Sequence, residues 1–438
     1  MGAAYECDAF TAVKSAPVAV VFPLSTQEVS AVVRYCVANG VPYTPRGAGT
    51  GLSGGATPTS GGVVVSLKRM AQILEVDLPN RRLHAQCGAT NAQLTKAVEK
   101  HGFHFAPDPS SQKVSTLGGN IAENAGGPHT LKYGVTSSHV LQATVVDPTG
   151  EILVLGGKVP GAPGYDLLGL FIGSEGTMGI ATEAWVKLTP NPQKVETALA
   201  FFNAPRDATQ SVADMIAAGV VPPALEYLDA TFMRVVSEAF GLVFPDGAKA
   251  FLLMEFDGTE ASVARELEAA VAVCREHGTL DLRVAQSAAE RDKLWFARKN
   301  AVGALGRLAP SKVSHDGVIP RSKLPDMLEF VDALAARRGM IIANLSHAGD
   351  GNLHPCMPYD DRDPADTERV KEAGAEVLRE CVRLGGSLTG EHGIGIEKRD
   401  LMRLMYNDLD LAYQAEAWSI LGGTGLCNPG KLLPEAGR

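Results

Sequence analysis

The sequence has few of the features that mark nucleic-acid-binding, secreted or membrane-spanning proteins. Its net charge is −9, it contains no block of basic residues, and only 6% of its residues are aromatic. This composition argues against a nucleic-acid partner. No apolar run approaches the ~20 residues that a membrane span requires, and the N-terminus lacks the basic and apolar regions of a signal peptide. We therefore expect a cytoplasmic protein that meets a membrane only peripherally, through partner subunits.

Cysteine is sparse as well. The seven cysteines include no C-x-x-C pair, which is typical of a reduced compartment and predicts neither a disulfide framework nor an iron–sulfur site. Glycine, by contrast, is abundant at 47 residues and occurs in clusters, where backbone can approach a ligand closely. A chain of 438 residues is too long for one core, so we expect two or three domains.

The pattern of apolar residues predicts a mixed fold. Ser25 followed by Glu28 predicts a capping box, and apolar residues then recur at helical spacing as far as Val37. Residues 140–155 carry two apolar runs around a turn sequence, which predicts a β-hairpin. The predicted strands in the N-terminal half of the chain are not separated by regularly spaced helices. The sequence therefore indicates an α+β fold and not a repeated βαβ sheet.

The first glycine cluster is residues 45–55, here named loop 1. Gly49 to Gly54 has the spacing G-x-G-x-x-G, which superficially matches a dinucleotide-binding turn. Such a turn must open a helix, and the following residues 56–62, ATPTSGG, cannot start one. A nest of accessible backbone N–H groups suited to a pyrophosphate remains, with a flexible surface loop as the alternative.

Two further segments repeat this composition. Loop 2 is residues 107–127 and loop 3 is residues 173–180. Their small residues, hydroxyls and side-chain amides suit a ribityl chain and the polar edge of a flavin. One such loop is weak support, but three in the same half of the chain indicate a large phosphate-bearing cofactor.

Histidines and a carboxylate form a second group of candidates. His347 and His354 are both expected on a glycine-bent turn, and Glu391 precedes His392 between glycines. Two imidazoles and a carboxylate are a common catalytic divalent-metal set. Each histidine alone is better explained as a hydrogen-bonded structural residue, but together they favour a site. Their spacing identifies neither the metal nor the histidine that would not bind it.

Arg298 is a third candidate. It lies on a predicted helix with apolar neighbours, where its guanidinium could bind a substrate carboxylate with two parallel hydrogen bonds. A helix-surface arginine in an ion pair is the more common alternative.

These motifs, together with Asn428–Lys431, resemble the FAD-dependent 2-hydroxy-acid dehydrogenases of the vanillyl-alcohol oxidase superfamily, in particular the glycolate and D-lactate dehydrogenase group. The resemblance covers essentially the whole chain. It implies a PCMH-type FAD-binding domain of two α+β subdomains at 1–190. It also implies an α/β cap domain with an antiparallel sheet at 191–400, which carries the substrate and metal residues, and a C-terminal helical segment at 401–438 that returns to the flavin.

The resemblance also implies roles for single residues. His347, His354 and Glu391 are expected to bind a divalent metal, zinc or else manganese or iron. His392 is expected to be the base and Arg298 the carboxylate clamp. The residues expected to contact FAD are Arg46, Gly47, Ala48, Gly49, Thr50, Gly51, Leu52, Ser53, Pro109, Ser111, Thr116, Gly119, Asn120, Asn124, Gly126, Tyr133, Gly134, Glu175, Gly179, Ile180 and Asn428. Members of the resembling family that bind flavin covalently use a histidine in the first glycine loop. Residues 45–56 contain no histidine, so we expect the FAD to be non-covalent.

The expected reaction is oxidation of a small 2-hydroxy acid, glycolate to glyoxylate and also D-lactate to pyruvate. It would proceed by metal-assisted proton abstraction and hydride transfer to flavin N5. D-lactate or D-2-hydroxyglutarate as the main substrate is the alternative within the family. Val302 and Ser314 stand at the distal-carboxylate positions, with Lys312 close in sequence, and this favours a monocarboxylate. A metallohydrolase and a non-catalytic nucleotide-binding subunit are alternatives from other classes. The expected partners are a flavin-type and an iron–sulfur subunit of a glycolate oxidase complex.

Overall fold

The computed structural model describes residues 2–435, which form two compact units. Unit 1 comprises the segment up to Gly127, Tyr133–Asn191 and the segment from Glu391 on. Unit 2 comprises Pro128–Lys132 and Pro192–Gly390. The predicted three-part division at residues 190 and 400 stays a prediction. Within residues 2–435, no helix combines the length and the hydropathy needed to cross a membrane.

The first part of the chain alternates short strands and helices as far as residue 190. In order they are β1 (Ala19–Val21), α1 (Thr26–Ala38), β2 (Tyr43–Arg46), β3 (Val63–Ser66), β4 (Ile73–Asp77), β5 (Arg82–Gln86), α2 (Asn91–Val98), β6 (Phe103–His104), α3 (Leu117–Glu123), α4 (Thr130–Tyr133), β7 (Val140–Val146), β8 (Ile152–Gly156), α5 (Leu167–Phe171), β9 (Ile180–Lys187) and β10 (Thr189–Pro190).

Unit 1 contains three small sheets. Strands β4-β5-β9-β7-β8 form a five-stranded antiparallel sheet, β1-β3-β2 a parallel one, and β6 pairs with β10. The predicted hairpin is the antiparallel pair β7–β8, and the α+β class is confirmed. The predicted helix α1 forms, but its capping box is incomplete. Ser25 Oγ accepts from the Glu28 N–H, whereas the Glu28 carboxylate accepts from the N–H of Leu24.

The segment after loop 1 contains no helix. Neither helix nor strand occurs between Arg46, which ends β2, and Val63, which begins β3. The absence of a helix excludes the dinucleotide-binding turn and confirms the prediction from Pro58 and its neighbours. Most of loop 1 therefore lies in the long irregular connection, residues 47–62, between two parallel neighbouring strands.

Unit 2 is a large sheet with helices on both faces. Its elements are β11 (Lys194–Phe202), α6 (Pro205–Ala217), β12 (Ala224–Asp229), α7 (Ala230–Phe240), β13 (Ala250–Gly258), α8 (Glu260–Glu276), β14 (Asp281–Val284), α9 (Ala288–Lys299), α10 (Ala301–Ala304), β15 (Ser311–Ser314), β16 (Gly317–Val318), α11 (Leu324–Arg338), β17 (Ala343–His347), β18 (Asn352–Tyr359) and α12 (Pro364–Arg383). The last helix within residues 2–435, α13 (Asp408–Gly422), belongs to unit 1.

The sheet of unit 2 has eight strands in the order β14-β11-β13-β12-β17-β18-β15, with β16 also paired to β18. All these pairings are antiparallel, as the predicted cap domain requires. One face packs against α6, α8, α11 and α12, and the other packs against α7, α9 and α10. Because side chains alternate along a strand, Ala224 and Leu228 of β12 face the second core and Leu225 and Tyr227 face the first. The second face is the one that carries the polar cluster described below.

Candidate functional site

Loop 1 has backbone donors without protein acceptors. Within the described part of the chain, no backbone N–H from Gly47 to Gly55 donates a hydrogen bond to another residue. The last three residues of this run, Ser53 to Gly55, are buried. A buried N–H without an acceptor is costly, so such a run fits an anionic group that the protein itself does not contain. The residues of loop 1 therefore fit the pyrophosphate of FAD.

Loop 1 lies directly against loop 2. A Cβ on Gly47 would overlap Oγ1 of Thr116, and that hydroxyl caps α3 by accepting from the N–H of Gly119 at 3.2 Å. Only glycine therefore fits at position 47 without displacing the cap. The structure thus brings together Gly47, Thr116 and Gly119, all predicted FAD contacts.

Other predicted residues of loop 2 form its internal framework. Asn120 donates to the Asn91 side chain at 2.5 Å, and Asn124 takes a left-handed conformation with φ 50° at the end of α3. Pro109 and Ser111 accept through their carbonyls from Gln112 and Ser115 at 2.7 and 2.8 Å. These bonds define the shape of the loop and leave the predicted FAD contacts of these residues untested.

Loop 3 joins the same assembly. The N–H groups of Gly173 and Glu175 donate to the carbonyls of Ile121 and Ala122 in α3, at 2.9 and 2.8 Å. Glu175 is buried and has φ 52°, a conformation uncommon for a residue with a side chain. By contrast, Ile180 begins β9 and packs in the core, opposite Val146. All three predicted glycine loops therefore meet in unit 1.

The C-terminal segment ties these loops together. The side-chain amide of Asn428, a predicted FAD contact, donates to the carbonyls of Gly55 and Glu175, each at 2.8 Å. Lys431 was not predicted and is also buried there. It donates to the Thr57 carbonyl at 2.9 Å, and burial lowers the pKa of its ammonium to about 8. The segment after α13 thus links loops 1 and 3 within unit 1.

Glu391 and His392 begin the last segment of unit 1, which is held by loops 1 and 3. Ser53 Oγ donates to the carbonyl of His392 at 2.9 Å, and the Glu175 carboxylate accepts from the N–H groups of Ile394 and Gly395, each at 2.6 Å. Burial raises the pKa of Glu175, although these two donors oppose the shift. The backbone of the predicted base is therefore fixed beside the loops that are predicted to hold FAD.

The second face of the unit 2 sheet carries the other predicted residues. Glu226 of β12 is directly opposite His347 at the end of β17, and Leu345 of β17 is opposite His354 of β18. The side chains of Glu226, His347 and His354 therefore point to the same face. His354 had been placed on the turn after His347, but it lies within β18 because the turn ends at Gly351, which has φ 81°.

The two histidines use the same ring nitrogen for hydrogen bonding. His347 Nδ1 donates to Glu226 Oε1 at 2.7 Å, and His354 Nδ1 donates to the His315 carbonyl at 3.2 Å. The rings are nearly perpendicular, with centroids 5.2 Å apart. With Nδ1 protonated, each neutral ring presents Nε2 as its metal-binding atom. This donor chemistry fits a divalent metal.

Arg298 lies on α9, is 3% exposed, and forms an ion pair with Glu226. Burial opposes the charge of Glu226, but Arg298 and His347 outweigh it and hold the pKa of this carboxyl below its usual value. Arg298 Nε is buried and has no hydrogen-bond acceptor among residues 2–435. A guanidinium that is ion-paired to a protein carboxylate and has a buried N–H group without an acceptor fits an additional anion.

Two buried carboxylates of this cluster had not been predicted. Glu226 is the one charged residue in the interior of the strand ALEYLD, and that position is the signal by which it could have been found. Asp316 is fully buried, and accepts from the Asn352 amide at 2.7 Å and from the N–H of Gly390 at 2.9 Å. Nothing in its local sequence marks this role, since its partners come from distant segments.

Comparison with known families matches both halves of the chain. Residues 17–156 match the FAD binding domain family, and residues 191–432 match the family of FAD linked oxidases, C-terminal domain.

Full-length relatives are also found. The glycolate oxidase subunit GlcD of Escherichia coli (strain K12) is 41% identical over 99% of this chain and 87% of its own length. The D-lactate dehydrogenase of Anaerostipes hadrus is 35% identical over 96% of this chain and 90% of its own length.

Among solved structures, p-cresol methylhydroxylase aligns with a TM-score of 0.80 over 99% of this chain and 92% of its own, at 17% identity. That identity supports a common fold and nothing more specific. The matched families and the full-length relatives agree with the motifs in the sequence and with the absence of a helix after loop 1. The chain therefore belongs to the family of FAD-linked oxidases and has the fold of the vanillyl-alcohol oxidase superfamily.

Proposed function

We propose that this protein is a dehydrogenase that oxidises glycolate, and also D-lactate, to the corresponding 2-oxo acid. The observation that carries the proposal is the 41% identity to a glycolate oxidase subunit over 99% of the chain. A D-lactate dehydrogenase is also similar over nearly the whole chain, which supports the second substrate.

Arg298 is the proposed clamp for the substrate carboxylate. Its buried Nε without an acceptor is the kind of donor that a carboxylate satisfies. Because Glu226 already neutralises the guanidinium in part, the clamp would bind through directed hydrogen bonds more than through net charge. This arrangement suits a small acid with one carboxylate.

His392 is the proposed base for the hydroxyl proton. Imidazole has an unperturbed pKa near neutrality, which suits proton transfer at physiological pH. Its backbone is fixed through the Ser53 hydroxyl, so the ring is carried on an ordered segment. His347, His354 and Glu391 would hold a divalent metal, zinc or else manganese or iron, which when bound supplies a Lewis acid that makes the hydroxyl more acidic.

Loops 1 to 3 and Asn428 would hold FAD without a covalent bond. FAD, when bound, supplies the acceptor for the hydride that leaves C2 of the hydroxy acid. Carbon C2 thus loses two electrons and a proton as hydride, and the hydroxyl loses its proton to His392. The protein's part is to position the acid and to hold the proton.

The same proposal limits the substrate to short acids. Val302 on α10 and Ser314 on β15 take the positions where D-2-hydroxyglutarate enzymes are expected to bind a second carboxylate. Neither side chain carries a charge, and Ser314 Oγ is engaged by Cys356 at 3.3 Å. A dicarboxylate should therefore be a poor substrate.

Electrons must leave the reduced protein through partners. We propose a flavin-type and an iron–sulfur companion subunit, in a cytoplasmic complex peripheral to the membrane. The similarity to a protein named as a glycolate oxidase subunit supports this assembly. Co-purification of the tagged chain with such subunits from its own host would test it, and full quinone reductase activity of the isolated chain would contradict it.

The test of the function is a reduction panel on the FAD-loaded chain. Glycolate, D-lactate, L-lactate and D-2-hydroxyglutarate are added anaerobically, with and without a chelator, while flavin absorbance is followed. We expect rapid bleaching by glycolate and D-lactate, weak bleaching by D-2-hydroxyglutarate, and slower bleaching after chelation. Flavin that is bleached by dithionite but by none of the four acids would refute the proposal.

A further inference from the structure

Glu226 is a charged residue at a position where charge is costly. It is fully buried in the middle of β12, and it faces the apolar core that includes Ala224, Leu228 and Leu345. A carboxylate in such surroundings destabilises the fold unless its oxygens are hydrogen-bonded or ion-paired. Its presence therefore requires partners, and the structure provides two.

The two oxygens of Glu226 bind two different residues. Oε1 accepts from His347 Nδ1 at 2.7 Å, and Oε2 pairs with Nη2 of Arg298. The first contact keeps the proton on Nδ1 and so directs Nε2 of His347 toward a metal. The second contact fixes the guanidinium in one orientation, from which its remaining donors can reach a substrate.

We infer that Glu226 is a positioning residue that couples the metal-binding histidine to the substrate-binding arginine. This inference rests on the proposed function for the roles of Arg298 and His347. Glu226 itself touches neither substrate nor cofactor in this scheme. One carboxylate would set both the tautomer of His347 and the direction of Arg298.

His354 provides an internal comparison. Its Nδ1 donates to a backbone carbonyl, that of His315 at 3.2 Å, and so does not depend on Glu226. Loss of Glu226 should therefore affect one of the two histidines. Metal binding should be weakened but not abolished.

The test compares Glu226→Gln with Glu255→Gln. Glu255 is also buried on the same sheet, and it accepts from Trp295 Nε1 at 2.5 Å and from Thr197 Oγ1 at 3.0 Å. It is therefore a matched control for the loss of a buried carboxylate. Metal-stripped chains are equilibrated with Zn²⁺ and, separately, with Mn²⁺, and the dissociation constants are measured together with FAD content and the KM for glycolate.

For Glu226→Gln we expect a metal dissociation constant about 10-fold to 100-fold weaker, the usual effect of losing such an outer partner. The KM for glycolate should rise, and FAD content should not change. Glu255→Gln should bind metal and glycolate as the wild type does. Equal metal affinity in the wild type and Glu226→Gln would overturn the inference.

A second variant allows the inference to be tested even if Glu226→Gln does not fold. The double variant Glu226→Met with Arg298→Met removes both buried charges and replaces them with apolar side chains of similar length. We expect it to fold and to bind metal at least about 10-fold more weakly than the wild type. Wild-type affinity in this variant would overturn the inference. A wild-type chain that binds neither metal would also overturn it, while bleaching by glycolate would still uphold the proposed function.

Discussion

The two units present polar groups to their candidate ligands in opposite ways. Unit 1 uses main-chain amides, from Gly47 to Gly55, in a loop where side chains are small. Unit 2 uses polar and charged side chains: Glu226 and His347 lie on one buried sheet face, and Arg298 on α9 is ion-paired to Glu226. Most substitutions leave a main-chain donor in place, because only proline lacks the N–H, but an added side chain can distort the loop. Side-chain donors can be removed singly, and each removal leaves a partner uncompensated.

The two units should therefore be sensitive to different kinds of substitution. In unit 1, a single added methyl group should impair ligand binding with little effect on charge. In unit 2, a single lost charge should reduce stability as well as activity. Four substitutions test these expectations.

The largest effect is expected for Arg298→Met, which leaves Glu226 buried without its cation. Breaking a buried ion pair from one side costs about 3–5 kcal/mol. Arg206→Met is the control, because Arg206 forms only exposed ion pairs, with Glu329 at 2.8 Å and with Asp326 at 3.4 Å, and such pairs contribute little to stability. Urea unfolding of both variants measures the difference. Equal losses would contradict the buried-charge account of unit 2.

A second large effect concerns pH and Asp229, at the end of β12. Burial raises the pKa of this carboxyl to about 6, although the N–H groups of Phe232 and Asn344 donate to it. The unfolded chain therefore loses this proton before the folded chain does, and the stability contributed by Asp229 falls as pH rises from about 4 to 6. Relative to Asp229→Asn, the wild type should lose about 3 kcal/mol of unfolding free energy between pH 4 and pH 7. Parallel pH profiles would contradict this.

A smaller effect is expected for Gly47→Ala in unit 1. The added methyl group would overlap Oγ1 of Thr116 and displace either loop 1 or the cap of α3. FAD affinity should fall about 10-fold or more, which corresponds to ~1.4 kcal/mol. Gly423→Ala, where a Cβ would meet no atom within 4 Å, should retain FAD as the wild type does. FAD titration of the two apoproteins separates these outcomes, and equal affinities would show that the contact between loops 1 and 2 is not needed.

The smallest effect is expected for Ser53→Ala, which removes the hydrogen bond to the His392 carbonyl. One such bond contributes about 1 kcal/mol, so kcat for glycolate, measured per bound FAD, should fall about fivefold. The exposed residue Ser60 provides the control variant Ser60→Ala. A normal kcat for Ser53→Ala would show that the function of His392 does not depend on its hydrogen bond to loop 1.

The main-chain site was largely predictable from the sequence, and the side-chain cluster only in part. Glycine spacing in loop 1 and the proline at Pro58 act locally, so they predicted both a nest and the missing helix. The FAD-binding architecture likewise followed from ordered motifs. Glu391 and His392 could also be selected as candidates from the sequence, because glycines flank them.

Glu226 could not be predicted as a partner of His347. The two residues are separated by 121 positions, and their contact depends on the register of β12 with β17. A shift of one residue would turn Glu226 to the other face of the sheet. The same reason applies to Arg298, for which the alternative interpretation was an ion pair on the helix surface, whereas its ion pair with Glu226 is buried.

The most direct test of the account is flavin reduction in His392→Ala. If main-chain loops hold FAD and a separate histidine takes the substrate proton, the purified variant should contain as much FAD as the wild type. Its flavin should be bleached by dithionite but not by glycolate or D-lactate. Near-normal bleaching by glycolate would contradict the role of His392, and loss of FAD would contradict the separation between cofactor binding and proton transfer.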